Sequence, residues 1–347
     1  FTDQKIARAY QGFVTYANDA MGGLELAKKI QDPALFASLR SQVETRQKEK
    51  SENTYVQISL PEISQKRSST ITPLAEIPSP PDLERHVLLN TSIDLIWDYL
   101  NPLMLYSRHL GMKGKLVKLL EAGDLRGLSQ EPGGDKAIEL YETLQALKQE
   151  VRALLKPKAI YQFFQAQSEG NRILLQSNSG QQETLSLPRQ ITSEGLCLAD
   201  YVASDPHQKD HLALFVVGVG EGVRELAEQW KQEGKYLKSH AFAALALESA
   251  EAYAEFLHAR IRNMWGFPDG VEMTMMQRFQ AKYRGKRYSF GYPACPNLED
   301  QKVIWNLLKP EEIGIQLTDG FMMEPEASVS ALVFHHPQAT YFSVGEE

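Results

Sequence analysis

The sequence predicts an α+β fold with an antiparallel sheet. Helical segments flank several hairpins, and strands and helices do not alternate as they would in a parallel α/β sheet. The hairpin pattern is clearest where Ala159–Phe164 and Arg172–Leu175 enclose a Ser-Glu-Gly-Asn turn. The helical pattern is clearest from Tyr236 to Trp265, which runs unbroken with an apolar seam at helical spacing. An antiparallel sheet flanked by helices accommodates both patterns.

Composition limits the classes of function. The chain has 347 residues, 43% hydrophobic and 23% charged, which is ordinary for a globular protein of one large or two modest domains. A net charge of -7 without a basic cluster argues against a nucleic-acid partner, and no apolar run approaches the ~20 residues of a membrane span. Cys197 and Cys295 lie far apart and lack zinc-site spacing, which is typical of a reduced, cytoplasmic protein. Because the chain starts at Phe1 rather than Met, we expect a fragment of a longer protein.

Three regions are predicted along the chain. Residues 3–50 are predicted to be helical, with a break at Gly22-Gly23. The basis is an apolar stripe with 3.6-residue spacing made by Tyr10, Phe13, Val14, Tyr16 and Ala17. Residues 51–81 are predicted to be a linker, rich in Lys, Ser, Glu and Pro; a disordered surface loop is the alternative. Residues 82–347 then form the main domain.

Further elements of the main domain follow from local patterns. Helical stripes run from Ile93 to Leu120, and an amphipathic helix is predicted from Asp135 to Leu155, ended by Pro157. Thr184 to Leu187 is predicted as a short strand. Ser328 to Val344 is predicted as a hairpin that turns at a His-Pro-Gln sequence.

A glycine-rich turn suggests one enzyme class. The strand Leu212–Val217 is followed by Gly218–Gly222, a Gly-x-Gly-x-Gly motif, and then by a helix, as in Rossmann-type methyltransferases. The fingerprint requires a second strand with an acidic end about twenty residues later, and helix follows here instead. We favour a structural strand-to-helix turn and keep a Rossmann-type methyltransferase on Gly218–Gly222 as the alternative.

The most distinctive stretch is Arg287–Pro296. Gly291 lies between two aromatic residues, and two prolines follow within five positions, so the backbone is predicted to form a stiff, open turn. Such a turn can present amide and carbonyl groups to a ligand. On local features alone, a tight loop with a buried tyrosine is the competing interpretation.

The surroundings of this stretch carry a family resemblance. The Arg-x-x-x-Gly-Tyr-Pro-Ala-Cys-Pro motif, Leu317–Met323, Ala327–Ser330 and Tyr341-Phe342 stand in the order found in the C-terminal activation domain of cobalamin-dependent methionine synthase, which the chain resembles. Several motifs in one order are far more specific than any one of them. The resemblance implies a C-shaped single domain with a twisted antiparallel sheet flanked by helices. It also implies that the domain binds S-adenosylmethionine and supports reductive remethylation of cob(II)alamin to methylcobalamin, in an enzyme that transfers a methyl group from methyltetrahydrofolate to homocysteine.

The resemblance extends to the domain plan. Phe13–Ala20 is similar to the tail of the cobalamin-binding domain that precedes the activation domain in this family. Residues 1–50 are therefore expected to be a helical tail of that domain, residues 51–81 the interdomain linker, and residues 82–347 the activation domain. The family's cobalt-ligating Asp-x-His-x-x-Gly signature is absent from this sequence, so cobalamin is expected on a domain outside this chain.

The resemblance implies a binding role for particular residues. Arg287 would bind the methionine carboxylate, since a guanidinium forks onto two oxygens. Backbone groups near Phe290 and Gly291 would contact the adenine or ribose, and Tyr292 would face the corrin. The wall of the site would be completed by Tyr341 and Phe342.

Other positions follow the family less closely. Glu251 matches the glutamate that meets the ligand's amino group, where a carboxylate suits a cation. Asn101 lies where the family often has an aspartate, and its amide can still accept a hydrogen bond from adenine. Asn297–Gln301 lacks the histidine that the family shows after the motif. Because Ala281 replaces a frequent family glutamate, Glu251 is the main candidate for the ammonium group.

The implied chemistry needs alignment rather than acid-base catalysis. A sulfonium is already a leaving group and reduced cobalt is the nucleophile, so no catalytic side chain and no metal site are predicted in this chain. The implied partners are the cobalamin-binding domain of the same enzyme and a flavodoxin-type electron donor. A module that senses or docks S-adenosylmethionine without catalysis is the other alternative.

Overall fold

The computed structural model describes residues 2, 6, 7, 10, 12–17, 20–52, 66–191 and 195–345. They divide into two units, Phe1–Ile63 and Ser64–Glu347. In the first unit, helix α1 spans Ala20–Gln31 and helix α2 spans Pro33–Glu52.

The predicted helix over Phe13–Ala17 is wrong. These residues have no helical structure, and the ring of Phe13 packs edge-on against Phe36 at a centroid distance of 5.1 Å. Spaced apolar residues can therefore reflect packing of an irregular segment as well as a helix. Gly22 and Gly23 lie inside α1 and do not break it.

The predicted linker is described in part. Residues 53–65 lie outside the described residues, and residues 66–81 form neither helix nor strand. Ser68 and Ile71 are buried, and the indole N–H of Trp265 donates to the Pro78 carbonyl at 3.1 Å. This stretch packs within the second unit, and the proposed domain boundaries stay a prediction.

The second unit contains one main sheet and the helices that cover it. Its elements are, in order, β1 (His86–Leu88), α3 (Ile93–Trp97), a π-helical segment (Leu103–His109), α4 (Gly114–Glu121), α5 (Leu125–Gln130), α6 (Gly134–Val151), β2 (Lys158–Glu169), β3 (Arg172–Gln176), β4 (Gln182–Ser186), β5 (Asp210–Gly218), α7 (Val223–Gln232), α8 (Tyr236–Met264), α9 (Met275–Phe279), β6 (Lys286–Tyr288), α10 (Gln301–Leu308), β7 (Gln316–Leu317), β8 (Met323–Glu324) and β9 (Ser328–Phe334).

The strands of the main sheet follow the order β4-β3-β2-β5-β9-β6, and β1 also pairs with β2. Every pair in this sheet is antiparallel, so the predicted α+β fold class is confirmed. Strands β7 and β8 form a separate antiparallel pair.

Both faces of the sheet are covered. All nine residues of β5 are buried, as expected for a strand with cores on both sides. Alternate side chains point to opposite faces, so Phe215 and Val217 join a core with α8 while Leu214 and Val216 join a core with α10. Helix α8 therefore lies on one face of the sheet.

The glycine-rich turn has a packing role. A Cβ on Gly220 would lie 3.0 Å from Cβ atoms of both Pro325 and Ala327, and one on Gly218 would lie 2.7 Å from Ile315. Strand β5 has antiparallel neighbours on both sides, whereas the Rossmann fold requires a parallel sheet. The Rossmann-type alternative is therefore wrong, and these glycines permit close approach of neighbouring segments.

The predicted C-terminal hairpin from Ser328 to Val344 is also wrong. Only its first half, β9, is a strand, and β9 lies between β5 and β6, so neither edge is free for a returning strand. The residues after β9 are tethered elsewhere: His335 Nε2 is 2.7 Å from Asp210, and His336 Nε2 donates to the Thr72 carbonyl at 3.1 Å. None of the described helices has the length and apolarity needed to cross a membrane.

Candidate ligand-binding site

A cavity of about 510 Å³ lies beside the edge strand β6. Its walls come from α8, β6, the turn that follows β6 and the C-terminal segment. The residues that line it are Glu251, Arg287, Tyr288, Ser289, Tyr292, Pro293, Ala294, Tyr341, Phe342 and Ser343.

Register in the sheet places Arg287. It pairs with Val333 of β9, and that position faces α8, while the next residue, Tyr288, packs its ring in the opposite core. From β6, Arg287 Nη1 donates to Glu255, and its Nη2 lies 3.9 Å from Glu251 Oε2. Burial alone would lower the pKa of Arg287, but these carboxylates outweigh it and raise the pKa above its usual value. The guanidinium is charged at any physiological pH.

Two hydrogen bonds close the turn after β6. Gly291 N–H donates to the Cys295 carbonyl, and Cys295 N–H donates to the Tyr292 carbonyl, both at 2.9 Å. Gly291 has φ +85°, and a Cβ there would lie 2.8 Å from Leu298 Cδ2, so this position requires glycine. Phe290 is buried, and neither Phe290 nor Gly291 is among the residues that line the cavity. The predicted backbone contacts of these two residues to adenine or ribose stay predictions.

The C-terminal segment forms the opposite wall. Val344 N–H donates to the Pro293 carbonyl at 3.0 Å, and the Tyr288 hydroxyl donates to the Thr340 carbonyl at 2.6 Å. These bonds hold Tyr341 and Phe342 against the turn, where the sequence predicted a wall of the site. Tyr341 remains about half exposed.

Asn101 lies outside the set of cavity-lining residues. Its Oδ1 accepts hydrogen bonds from the N–H groups of Leu103 at 3.1 Å and Met104 at 3.4 Å, at the start of the π-helical segment. The side-chain oxygen therefore caps that segment, and the adenine contact predicted for Asn101 stays a prediction.

A pair of opposite charges faces the cavity. Glu251 is half exposed on α8, and Arg287 reaches towards it from β6. One turn further along α8, the buried Glu255 accepts from Arg287 and also from the Tyr283 hydroxyl at 3.2 Å. Sequence reasoning did not assign Glu255, although its i, i+4 spacing from Glu251 places both carboxylates on one face of α8. It also assigned no role to five other residues of the cavity wall, Tyr288, Ser289, Pro293, Ala294 and Ser343.

Three titratable side chains near the cavity, Cys295, Tyr292 and His258, are neutral at physiological pH. Burial raises the pKa of the Cys295 thiol to about 12 and also raises the pKa of Tyr292. His258 is fully buried against the ring of Tyr283, and burial lowers its pKa well below the usual value. Within the described ranges no group of three or more His, Cys, Asp or Glu side chains could hold a metal ion. Arg287 and Glu251 are thus the charged groups in the cavity lining.

Comparison with known proteins agrees with this geometry. The family model "Vitamin B12 dependent methionine synthase, activation domain" matches residues 94–346. The chain is 27% identical over 381 residues to methionine synthase of Mycobacterium leprae and 27% identical over 373 residues to that of Mycobacterium tuberculosis. Each alignment covers 99% of this chain and 31% of the relative, so the chain spans about a third of the length of these proteins.

A solved structure is similar as well. The "MetH Reactivation Domain bound to AdoHcy", where AdoHcy denotes S-adenosylhomocysteine, has a TM-score of 0.71 and 27% sequence identity. The match covers 78% of this chain and 84% of that one. The antiparallel sheet with its edge-strand cavity, together with a family match over most of the main unit, shows that this chain belongs to the family of vitamin B12 dependent methionine synthase activation domains.

Proposed function

We propose that this chain binds S-adenosylmethionine in the cavity beside β6 and acts as the activation module of a cobalamin-dependent methionine synthase. The observation that carries the proposal is the pair Arg287 and Glu251, whose opposite charges lie 3.9 Å apart in the cavity wall. A free amino acid group carries the complementary charges, a carboxylate for Arg287 and an ammonium for Glu251. The similar reactivation domain was solved with S-adenosylhomocysteine, the same molecule without its transferable methyl group.

The rest of the cavity suits the nucleoside. Its volume of about 510 Å³ falls in the range of roughly 300–1,000 Å³ typical of small-molecule sites. Tyr341 and Phe342 offer aromatic surface for an adenine ring. Tyr292 is 61% exposed at the same cavity, so its ring is available to a second molecule that approaches the bound ligand.

Methyl transfer from S-adenosylmethionine requires no proton transfer. The sulfur–methyl bond would break with its electron pair left on sulfur, and S-adenosylhomocysteine would be released. The methyl group would pass to reduced cobalamin on another domain of the same enzyme, which would supply the electron pair of the new bond. Before methyl transfer, cob(II)alamin would need to gain one electron, which is expected from a flavodoxin-type donor in the cytoplasm. The residues of this chain hold the amino acid and nucleoside ends of the ligand, which fixes the direction in which the methyl group points.

Calorimetric titration with S-adenosylmethionine tests the site. We expect Arg287→Ala to weaken binding about 10- to 150-fold, since hydrogen bonds to charged groups contribute about 1.5–3 kcal/mol. Arg224→Ala is a matched control, because Arg224 lines a different cavity beside the glycine-rich turn and pairs there with Glu324 at 2.7 Å. Unchanged binding by Arg287→Ala would refute the proposed site, and a loss with Arg224→Ala alone would move the ligand to the other cavity.

A second experiment tests the role in methyl transfer. The chain is mixed with a separately produced, reduced cobalamin-binding domain and S-adenosylmethionine labelled in its methyl group. We expect label on cobalamin with the unaltered chain and far less with Arg287→Ala. Tight ligand binding without any transfer would instead support a sensing or docking module.

A further inference from the structure

A buried carboxylate lies directly behind the cavity. Glu255 follows Glu251 by one turn of α8, but its side chain is only 7% exposed and it does not line the cavity. Its Oε2 accepts from Arg287 Nη1 and from the Tyr283 hydroxyl, the latter at 3.2 Å. The Tyr283 oxygen is also 3.4 Å from Arg287 Nη1. Glu255, Tyr283 and Arg287 thus form one connected group.

A second arginine holds this group from the other side. Arg262 is fully buried, and its Nη2 lies 3.8 Å from Glu255 Oε1. Arg262 is itself fixed by a fork onto Asp269, with Nε 2.7 Å from Oδ1 and Nη2 2.8 Å from Oδ2. Its guanidinium lies 3.7 Å from the centroid of the Tyr283 ring. Glu255 is therefore held between two cations in the interior, with little room to change its position.

We propose that Glu255 is the positioning residue that fixes Arg287 for the ligand carboxylate. Anchoring Nη1 on a buried carboxylate leaves Nη2 on the cavity side, where the half-exposed Glu251 lies 3.9 Å away. A guanidinium binds a carboxylate well only when its planar fork is correctly oriented. Without Glu255, Arg287 Nη1 would lose its buried carboxylate partner, and the half-exposed Glu251 would be the carboxylate left beside the guanidinium. This inference rests on the proposed binding of S-adenosylmethionine at Arg287.

The role predicts energetic coupling between the two residues. In a double-mutant cycle, residues that act through each other show non-additive effects. We expect Glu255→Gln to weaken S-adenosylhomocysteine binding at least about tenfold, equivalent to about 1.4 kcal/mol. In the Arg287→Ala background the same change is expected to alter the dissociation constant less than about twofold, because no guanidinium is left to position.

Glu248→Gln is the matched control. Glu248 is another buried carboxylate on α8, but its partner is His109 at 2.8 Å, and it does not line the cavity beside β6. We expect Glu248→Gln to leave ligand affinity unchanged in both backgrounds. A general effect of removing a buried charge from α8 would weaken binding in both glutamine variants.

The measurement is calorimetric titration of the whole chain with S-adenosylhomocysteine, with thermal unfolding of each variant recorded first. If Glu255→Gln does not fold, Tyr283→Phe is tested instead, because this change removes only the hydroxyl that donates to Glu255. Tyr283→Phe is expected to weaken ligand affinity twofold to threefold, and to have no effect in the Arg287→Ala background. Equal losses in the two backgrounds, or no loss from the folded variant, would overturn the inference. If the unaltered chain does not bind S-adenosylhomocysteine, or if Arg287→Ala binds it normally, the proposed function is refuted. If both of those results are as expected and only the coupling to Glu255 is absent, the positioning role alone is refuted.

Discussion

Replacing Glu251, the half-exposed carboxylate of the cavity wall, tests whether this residue recognises the ammonium group of the ligand. Glu251→Gln keeps the size of the side chain and removes its charge, so it should weaken binding of S-adenosylmethionine by removing the partner of the ammonium group. Two unit charges about 4 Å apart attract by about 1 kcal/mol in bulk water and by about 4 kcal/mol at an effective dielectric constant of 20. The Glu251 side chain is 51% exposed, which favours the lower part of this range. A loss of about 1–2 kcal/mol, or roughly 5- to 30-fold in the dissociation constant, is expected.

The assay compares two ligands on each variant. Calorimetry is carried out with S-adenosylmethionine and with 5′-methylthioadenosine, which has the nucleoside but lacks the amino acid group. Glu251→Gln should weaken only the first, because the second has no ammonium group to lose. Glu299→Gln is the control for removal of an exposed acid, since Glu299 pairs with Lys302 away from the cavity wall. The reasoning is refuted if Glu251→Gln binds S-adenosylmethionine normally or loses equal affinity for both ligands.

Two further predictions concern the turn and the tether of the C-terminal segment. Gly291→Ala should destabilise the fold by roughly 1–2 kcal/mol, because alanine is strained in the left-handed backbone conformation, and should also weaken ligand binding, because its Cβ would press on Leu298. Gly180→Ala is the control: Gly180 has φ +86° with open space around it, so this change should destabilise the fold without affecting the ligand. Equal ligand affinity of the two variants would contradict this reasoning. Burial lowers the pKa of His336 to about 4 from 6.5, so the unfolded chain takes up the proton before the folded chain as the pH falls. The contribution of this residue to the free energy of unfolding is about 3 kcal/mol. It is complete above about pH 6.5 and is lost as the pH falls to about 4. Denaturant unfolding at several pH values should therefore show a shallower pH dependence for His336→Gln than for the unaltered chain, and parallel curves would exclude this role.

Local patterns were sufficient to place individual helices and strands, and to pair the strands that adjoin in sequence. The hairpin of β2 and β3, strand β5 and the long helix α8 all lie where periodicity and turn residues place them. The prediction of a C-terminal hairpin failed because β9 pairs with β5 and β6, which precede it by about a hundred and about forty residues. A turn sequence after a strand does not reveal that other strands already occupy both edges of that strand. Pairing between distant strands leaves no local signal.

In the candidate site too, the sequence predicted some residues and left others to the tertiary structure. The resemblance to the family predicted Arg287, Tyr292, Tyr341, Phe342 and Glu251, and the structure places all five around one cavity. It could not supply the buried residues behind them. A row of glutamates on a helix is usually a solvated face, and only the packing of β6 against α8 decides which of them is enclosed.

The difference in burial between Glu251 and Glu255 predicts how the proposed ligand would enter the cavity. Arg287 has a buried contact to Glu255 and a half-exposed contact to Glu251. Removing one partner of a buried ion pair costs about 3–5 kcal/mol, whereas an exposed pair contributes about 0–1 kcal/mol. If S-adenosylmethionine binds as proposed, we therefore expect its carboxylate to displace Glu251 from Arg287 and to leave Glu255 in place. The released Glu251 would then be free to meet the ligand's ammonium group. The same exchange would thus expose Arg287 to the carboxylate and supply the second charge that an amino acid ligand requires.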